Sequence, residues 1–245
     1  SIYNAYGGEI RSGILGVWTA GTALPYTVQQ ASGTGTKDAF LMYGETSSPN
    51  ASALEFNGSS WSAAGTIGSG SSRGTLFGTQ NAGVATGRYP NSVSTKTEHY
   101  DGSSWSDGAD SPHQQTGAGV GTQNAGFHHG GFPSPYTQTR HYDGTAWSSN
   151  QNSNVARFAH GAAGSQYAAI IHGSGNPSIA PDEKASELYD GTSWTVISDT
   201  NTSERYRGVG MGTVNDYLVV GGPSQVSEHY DGSAWSIQAS LSNTM

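Results

Sequence analysis

An all-β fold, one four-stranded unit used several times, is what this sequence predicts, and three observations carry the prediction. The phrase EHYDGSSWS at 98–106 returns at 140–148, 187–195 and 228–236, and as the looser LEFNGSSWS at 54–62. The six tryptophans, Trp18, Trp61, Trp105, Trp147, Trp194 and Trp235, are spaced by 43, 44, 42, 47 and 41 residues. Gly numbers 36 in 245 residues. Each interior Gly costs a helix about 1 kcal/mol relative to Ala, which argues against long helices.

A period of about 40–50 residues with one Trp per period is the mark of propeller blades, each a four-stranded sheet. A second mark keeps the same register: GTQNAGVATG at 78–87, GTQNAGFHHGG at 121–131, GSQYAAIIHGSG at 164–175 and GTVNDYLVVGG at 212–222, with GTKDAFLMYGE at 35–45 diverging most. Each unit divides into four short strands. Strand a is rich in Gly and Ala and often opens with Arg, as at 73–78, 157–164 and 205–212. Small residues suit an innermost strand, where blades crowd around a central channel. Strand b is the apolar run ending in Gly, strand c carries the Glu-His-Tyr triplet, and strand d begins at the Trp. The Asp-Gly or Asn-Gly between c and d predicts a tight hairpin turn, since such turns need positive φ. The flanking Tyr100, Tyr142, Tyr189 and Tyr230 and the six tryptophans are predicted as structural anchors packed between neighbouring blades.

The whole chain, 1–245, forms one propeller domain on this pattern, with units at 1–18 (partial), 19–61, 62–105, 106–147, 148–194 and 195–235 and a closing segment at 236–245. Residues 1–18 supply a b-like AYGGE at 5–9 and Trp18, but no Tyr-Asp-Gly. Six blades, closed by joining the termini, is the favoured expectation; five blades plus an N-terminal arm is the alternative.

Composition narrows function. A net charge of −8, a pI near 5.3 and only 10 Lys and Arg disfavour nucleic acid as a partner, because phosphate binding needs clustered cations. With zero Cys there is neither a disulfide nor a thiolate site or nucleophile. No apolar run approaches 18 residues, so no membrane insertion is expected. The first residues lack the basic and apolar regions of a signal peptide and an initiator Met, as in a processed product or a piece of something longer.

The eight histidines invite a metal or catalytic role. His99, His141 and His229 share one repeat position with Leu188 and Glu55, which marks a strand position tolerant of chemistry. The adjacent His128 and His129 point to opposite faces of a strand, and His160 and His172 lie in the next unit. Asp101, Asp143, Asp190 and Asp231 each stand alone beside a Gly, where the turn accounts for them better than calcium does. No nucleophile elbow, P-loop or HExxH motif is present. The expectation is a non-enzymatic protein without catalytic residues, metal or cofactor.

Paired Gly after an apolar strand, then Tyr, then Trp at fixed distance, resemble kelch-type propellers, relatives of galactose oxidase-like domains. That enzyme's chemistry needs copper and a Cys cross-linked to Tyr, and this chain has no Cys. The wording GTQNAG…GG…TEHYDGSSWS is similar to the tandem repeats of virion structural proteins from tailed phages, marine cyanophages especially. The resemblance implies a virion location, other virion proteins as partners, and a role as a structural component or fibre-like appendage on capsid or tail. The chain departs from it in the degenerate first unit and at Phe56-Asn57.

Repeated positions build a scaffold, so recognition belongs to what varies. The b–c loops vary: 45–53, 88–96, 132–138, 176–185 and 223–226, all containing Pro. Tyr89, Phe132 and Tyr136, with Asn176 and Asp182, are the candidate binding residues there. Aromatic rings among amides and hydroxyls suit a protein contact or a host cell-surface glycan.

Overall fold

The structure, a computed structural model, describes residues 2–3, 9–10, 21–46, 52–68, 73–87, 95–111, 116–132, 136–174, 184–201, 207–222 and 226–240. Strands β1 (Ile2–Tyr3) and β2 (Glu9–Ile10) form a two-stranded pair. Five four-stranded antiparallel sheets follow, each from one continuous segment. Blade 1 is β3 (Val28–Thr36), β4 (Ala39–Thr46), β5 (Ser52–Phe56) and β6 (Trp61–Thr66). Blade 2 is β7 (Thr75–Thr79), β8 (Ala82–Thr86), β9 (Thr97–Tyr100) and β10 (Trp105–Asp107). Blade 3 is β11 (Ala118–Thr122), β12 (Ala125–His129), β13 (Thr139–Tyr142) and β14 (Trp147–Asn150). Blade 4 is β15 (Gly161–Ser165), β16 (Ala168–His172), β17 (Ser186–Tyr189) and β18 (Trp194–Ile197). Blade 5 is β19 (Gly208–Thr213), β20 (Asp216–Gly221), β21 (Val226–Tyr230) and β22 (Trp235–Ser240).

Five blades, not the six favoured from sequence, are therefore present among the described residues. Glu9 pairs with Tyr3 instead of with a c strand, and the first unit lacks the Tyr-Asp-Gly that turns c into d in every later blade but the first, where Phe56-Asn57 substitutes. Trp18 lies outside the described residues. One trace of the sixth register remains at Thr22, four residues beyond Trp18. Its carbonyl accepts the Trp61 indole N–H at 3.2 Å, as the carbonyls of Ala109 and Ser198, four beyond their tryptophans, accept from Trp147 and Trp235 at 3.2 and 3.0 Å.

The first strand of each blade packs against the first strand of the next, β3 on β7, β7 on β11, β11 on β15 and β15 on β19. Just before or within these strands lies a repeated main-chain device. Gln30, Arg73, Thr116, Ala159 and Arg207 all have positive φ, between 49° and 60°. The left-handed region costs a residue with a Cβ about 1–2 kcal/mol. At three of them the amide reaches the preceding blade: Thr116 N–H donates to Arg73 O at 2.7 Å, Ala159 to Thr116 at 2.6 Å, and Arg207 to Ala159 at 2.7 Å.

So close an approach leaves little room. A Cβ on Gly126 would sit 2.2 Å from Phe77 Cε2, so the ring of blade 2 fills the space that a side chain at 126 in blade 3 needs. Farther out the wedge between blades widens and is filled by larger groups. Among the described residues four apolar cores result, one between each pair of successive blades: Leu41, Tyr43 and Tyr100 in the first, Phe77, Val84 and Tyr142 in the second, Phe127, Ile171 and Tyr189 in the third, Ile170, Val219 and Tyr230 in the fourth. Strand b is covered on both faces and is nearly continuously buried, as in β16.

The repeated phrase now resolves residue by residue. Tyr and Trp pair across strands c and d, with ring centroids 5.0 Å apart for Tyr100–Trp105, 4.7 Å for Tyr142–Trp147 and 4.9 Å for Tyr189–Trp194. The pair faces the preceding blade, to which the indole N–H also donates. The connection from c to d is a four-residue loop rather than a tight two-residue turn, closed by Asp101 N–H to Ser104 O at 3.2 Å. Only the Gly takes positive φ, +93° at Gly102. The Asp101 carboxylate accepts from the amides of Ser103 and Ser104, both at 2.8 Å, and Asn57 Oδ1 does the same in blade 1. Gln of the GTQN or GSQY phrase is a clip: Gln166 Nε2 donates to Gly126 O at 2.7 Å and Tyr142 O at 3.1 Å, and Gln123 and Gln80 repeat the contact one and two junctions earlier. Blade 5 has Val214 in that place.

Gln123→Ala is expected to lower unfolding stability by about 2 kcal/mol, because two backbone acceptors lose their donor. Val214→Gln is expected to raise it by about 1 kcal/mol. Denaturant melts of both variants against the parent measure the pair; an unchanged midpoint for Gln123→Ala would refute the clip.

Candidate functional site

Alternating strand direction puts the b–c loops and the d–a connections at one end of every blade, and the Asp-Gly turns at the other. Of the residues singled out from sequence, Tyr89, Asn176 and Asp182 lie outside the described residues. Phe132 and Tyr136 come together on the b–c loop of blade 3, ring centroids 6.4 Å apart. Phe132 is 42% exposed. Phe158, from the connection between β14 and β15, joins them with its ring 5.8 Å from Tyr136. Sequence reasoning missed Phe158 because it placed 157–164 in strand a, whereas the strand begins at Gly161 and leaves Phe158 in the connection that shares a face with the b–c loops.

The aromatic group stands on a rigid base. Arg157 N–H donates to Tyr136 O at 2.9 Å, Gly131 N–H to Arg157 O at 3.1 Å, and Ser153 N–H to Thr137 O at 2.9 Å. The Arg157 side chain is completely buried and donates to Gly173 O and Ala185 O, both at 2.8 Å, while pairing with the equally buried Glu187 at 3.2 Å. Glu187 in turn accepts from the amides of Asn154 and Val155 at 2.9 and 3.1 Å. A buried pair with this many hydrogen bonds fixes geometry; removing one partner strands the other charge.

The histidines serve the junctions. His99 Nε2 lies 2.7 Å from Tyr142 Oη, and His141 Nε2 lies 3.0 Å from Tyr189 Oη, each reaching the next blade. Glu55 occupies the same place toward Tyr100, whose hydroxyl is pushed up to about 12 by burial and then by the Glu55 charge. His229 instead meets Asp216 of its own blade at 2.7 Å. His129 Nδ1 lies 3.0 Å from His160 Nε2, and its Nε2 lies 2.8 Å from Ser153 Oγ. Among the described residues no three His, Asp or Glu converge on a point where a metal would sit.

The fold with its five repeated blades defines a β-propeller. No family model matches the sequence, and no curated protein matches it. Among solved structures, one titled "Structure of YjhT" is similar at a TM-score of 0.75 and 12% identity, over 90% of this chain and 87% of that one. At that identity the likeness is one of fold.

Two pH effects follow. Burial, then the charges of Arg157 and His172, hold His160 well below the ordinary imidazole value, and burial lowers His99 and His141 too. These groups stay neutral when folded but take up protons when unfolded below about pH 6.5. Their contribution is complete above that pH and lost as it falls, so Tm should drop between about pH 6.5 and 5. His160→Gln should shallow that slope; an unchanged slope would refute the assignment.

In the turns the amides and hydroxyls of Ser103 and Ser104 hold Asp101 down to about 2. That stabilisation is present above the ordinary carboxylate value near 4 and lost as pH falls toward about 2. Asp101→Asn, which copies Asn57, should fold normally at pH 7 and lose less stability between about pH 4 and 2 in acid melts.

Proposed function

We propose that this propeller is a non-enzymatic interaction or decoration module of a tailed-phage virion, docking to other particle proteins through its b–c face. The observation that carries the proposal is the half-exposed aromatic group Phe132–Tyr136–Phe158, mounted on the buried Arg157–Glu187 pair at the loop end of blades 3 and 4. Aromatic residues over a rigid, desolvated base are the usual anchors of protein interfaces. The repeat wording GTQNAG…GG…TEHYDGSSWS supports the viral setting. The non-enzymatic reading is supported by the structural tasks of the buried polar groups: His99 and His141 bind neighbouring tyrosines, and Glu187 binds a loop and an arginine.

A glycan-binding adhesin on a tail fibre is the second reading, favoured by the exposed face of Phe132, which suits stacking on a sugar ring. Cross-linking mass spectrometry on source particles tests the first. Cross-links from the blade 3 and blade 4 loops to another virion chain are expected, and F132A/Y136A should weaken capture of that chain at least about tenfold. Cross-links confined to the Asp-Gly turn face, or absence of the protein from purified particles, would overturn it. Binding of the isolated domain to whole host cells, lost in the same variant, would favour the adhesin.

A further inference from the structure

Ser153, His129 and His160, all buried beside the junction of blades 3 and 4, form a hydrogen-bonded chain whose proton count is fixed. The hydroxyl of Ser153 donates to a carbonyl, with Val155 O at 2.9 Å and Thr137 O at 3.4 Å. With its hydrogen so engaged, Ser153 Oγ accepts from His129 Nε2 at 2.8 Å. His129 therefore carries its proton on Nε2 and leaves Nδ1 bare, and that atom accepts from His160 Nε2 at 3.0 Å. The last nitrogen of the chain, His160 Nδ1, is buried with no hydrogen-bond partner. Each ring holds one proton, and a further one has only His160 Nδ1 to occupy.

The surroundings oppose that further proton. Burial acts first, then the charges of Arg157 on the same connection and His172 on β16. Glu187 of β17 is committed to Arg157 and to the amides of Asn154 and Val155. His172 meets Tyr217 of β20 through Nδ1, and His128 of β12 sets its ring 6.2 Å from Trp147. Arg207, whose amide reaches Ala159, is exposed.

The same two histidines root the segments that carry the aromatic group. His129 ends β12 just before the loop of Phe132, and His160 closely follows Phe158. The segments lie face to face: a Cβ on Gly130 would sit 2.9 Å from His160 Cε1 and 2.4 Å from Arg157 O. Gly131 N–H reaches Arg157 O, and Arg157 N–H reaches Tyr136 O.

We propose that the His129–His160 pair is an acid-operated latch that keeps Phe132, Tyr136 and Phe158 assembled. While neutral, the pair ties the blade 3 loop to the connection bearing Phe158. Below about pH 6.5, the ordinary imidazole value, an opened pair takes up protons for which the closed pair has no place, so acid favours opening. One proton taken up raises the open population about tenfold between about pH 7.5 and 5.5, and two raise it about a hundredfold. Use of the latch to release a partner rests on the docking reading above; the latch itself does not.

The test follows amide hydrogen exchange in the whole chain by NMR at about pH 7.5 and 5.5, corrected for intrinsic rates, with and without low guanidinium. Protection of the Gly131 and Arg157 amides is expected to fall at least about tenfold on acidification and to be insensitive to guanidinium, the mark of local opening. Amides of β8, which exchange through wider unfolding, should respond to guanidinium. His160→Gln keeps a donor to His129 Nδ1, and its amide can turn to accept from a protonated His129, so it should lose most of the acid response. His99→Gln, at another junction, should retain it. Unchanged protection at Gly131 and Arg157, a guanidinium response equal to that of β8, or a full acid response in His160→Gln would each overturn the latch. If His160→Gln does not fold, the parent's two pH values and guanidinium series decide alone. Acid opening in a chain whose F132A/Y136A variant still captures its partner would support the latch and overturn the docking reading instead.

Discussion

The main-chain hydrogen bonds running from Arg207 to Ala159, Thr116 and Arg73 set the spacing to which the blades conform. Amide and carbonyl 2.6–2.7 Å apart hold the innermost strands so near that at Gly119 a Cβ would meet Thr75 of the preceding blade at 2.4 Å. Flat sheets joined along their inner edges must splay outward, so the gap between them grows with radius. Side-chain volume grows with it across blade 3, from Gly119 on the innermost strand through Phe127 on the second to the Tyr142–Trp147 pair on the outer two. The positive φ at each link has a conformational cost, and the hydrogen bond and the packing it permits offset that cost.

Uniformity in this scaffold makes its exceptions legible. The departure that bears on recognition lies beside blade 3, where Phe132, Tyr136 and Phe158 gather over the ion pair of Arg157 and Glu187. The remaining junctions use Glu98, Glu187 and Glu228 for closure and carry His, Glu or Leu toward the neighbouring tyrosine. Repetition has therefore absorbed most polar chemistry into architecture, and what remains available for ligands is where one blade stops copying the others.

Much of the architecture was readable because it rests on residue identity. The Trp period, the Gly of Asp-Gly and the small residues of strand a each answer a local steric need. The positive-φ links were not readable, since Gln30, Arg73, Thr116, Ala159 and Arg207 share a backbone conformation and no side-chain property. The blade count went wrong because the Trp spacing persists through Trp18 while the turn chemistry does not. Phe158 was hidden by assigning its segment, 157–164, to strand a. Phe132 and Tyr136 were visible because loops free of the repeat stand out against it.

The scaffold's stitches also have a direction. The indole N–H of Trp105, Trp147, Trp194 and Trp235, the side-chain amide of Gln80, Gln123 and Gln166, and the left-handed main-chain amides of Thr116, Ala159 and Arg207 donate backward, from a later blade to its predecessor. For these contacts a chain leaving the ribosome N-terminus first presents the acceptors before the donors that need them, whereas the amides of Gly68, Asn154 and Asn201 precede the carboxylates of Glu98, Glu187 and Glu228 that accept them. Each emerging blade thus meets both donors and acceptors already placed by the blade before it.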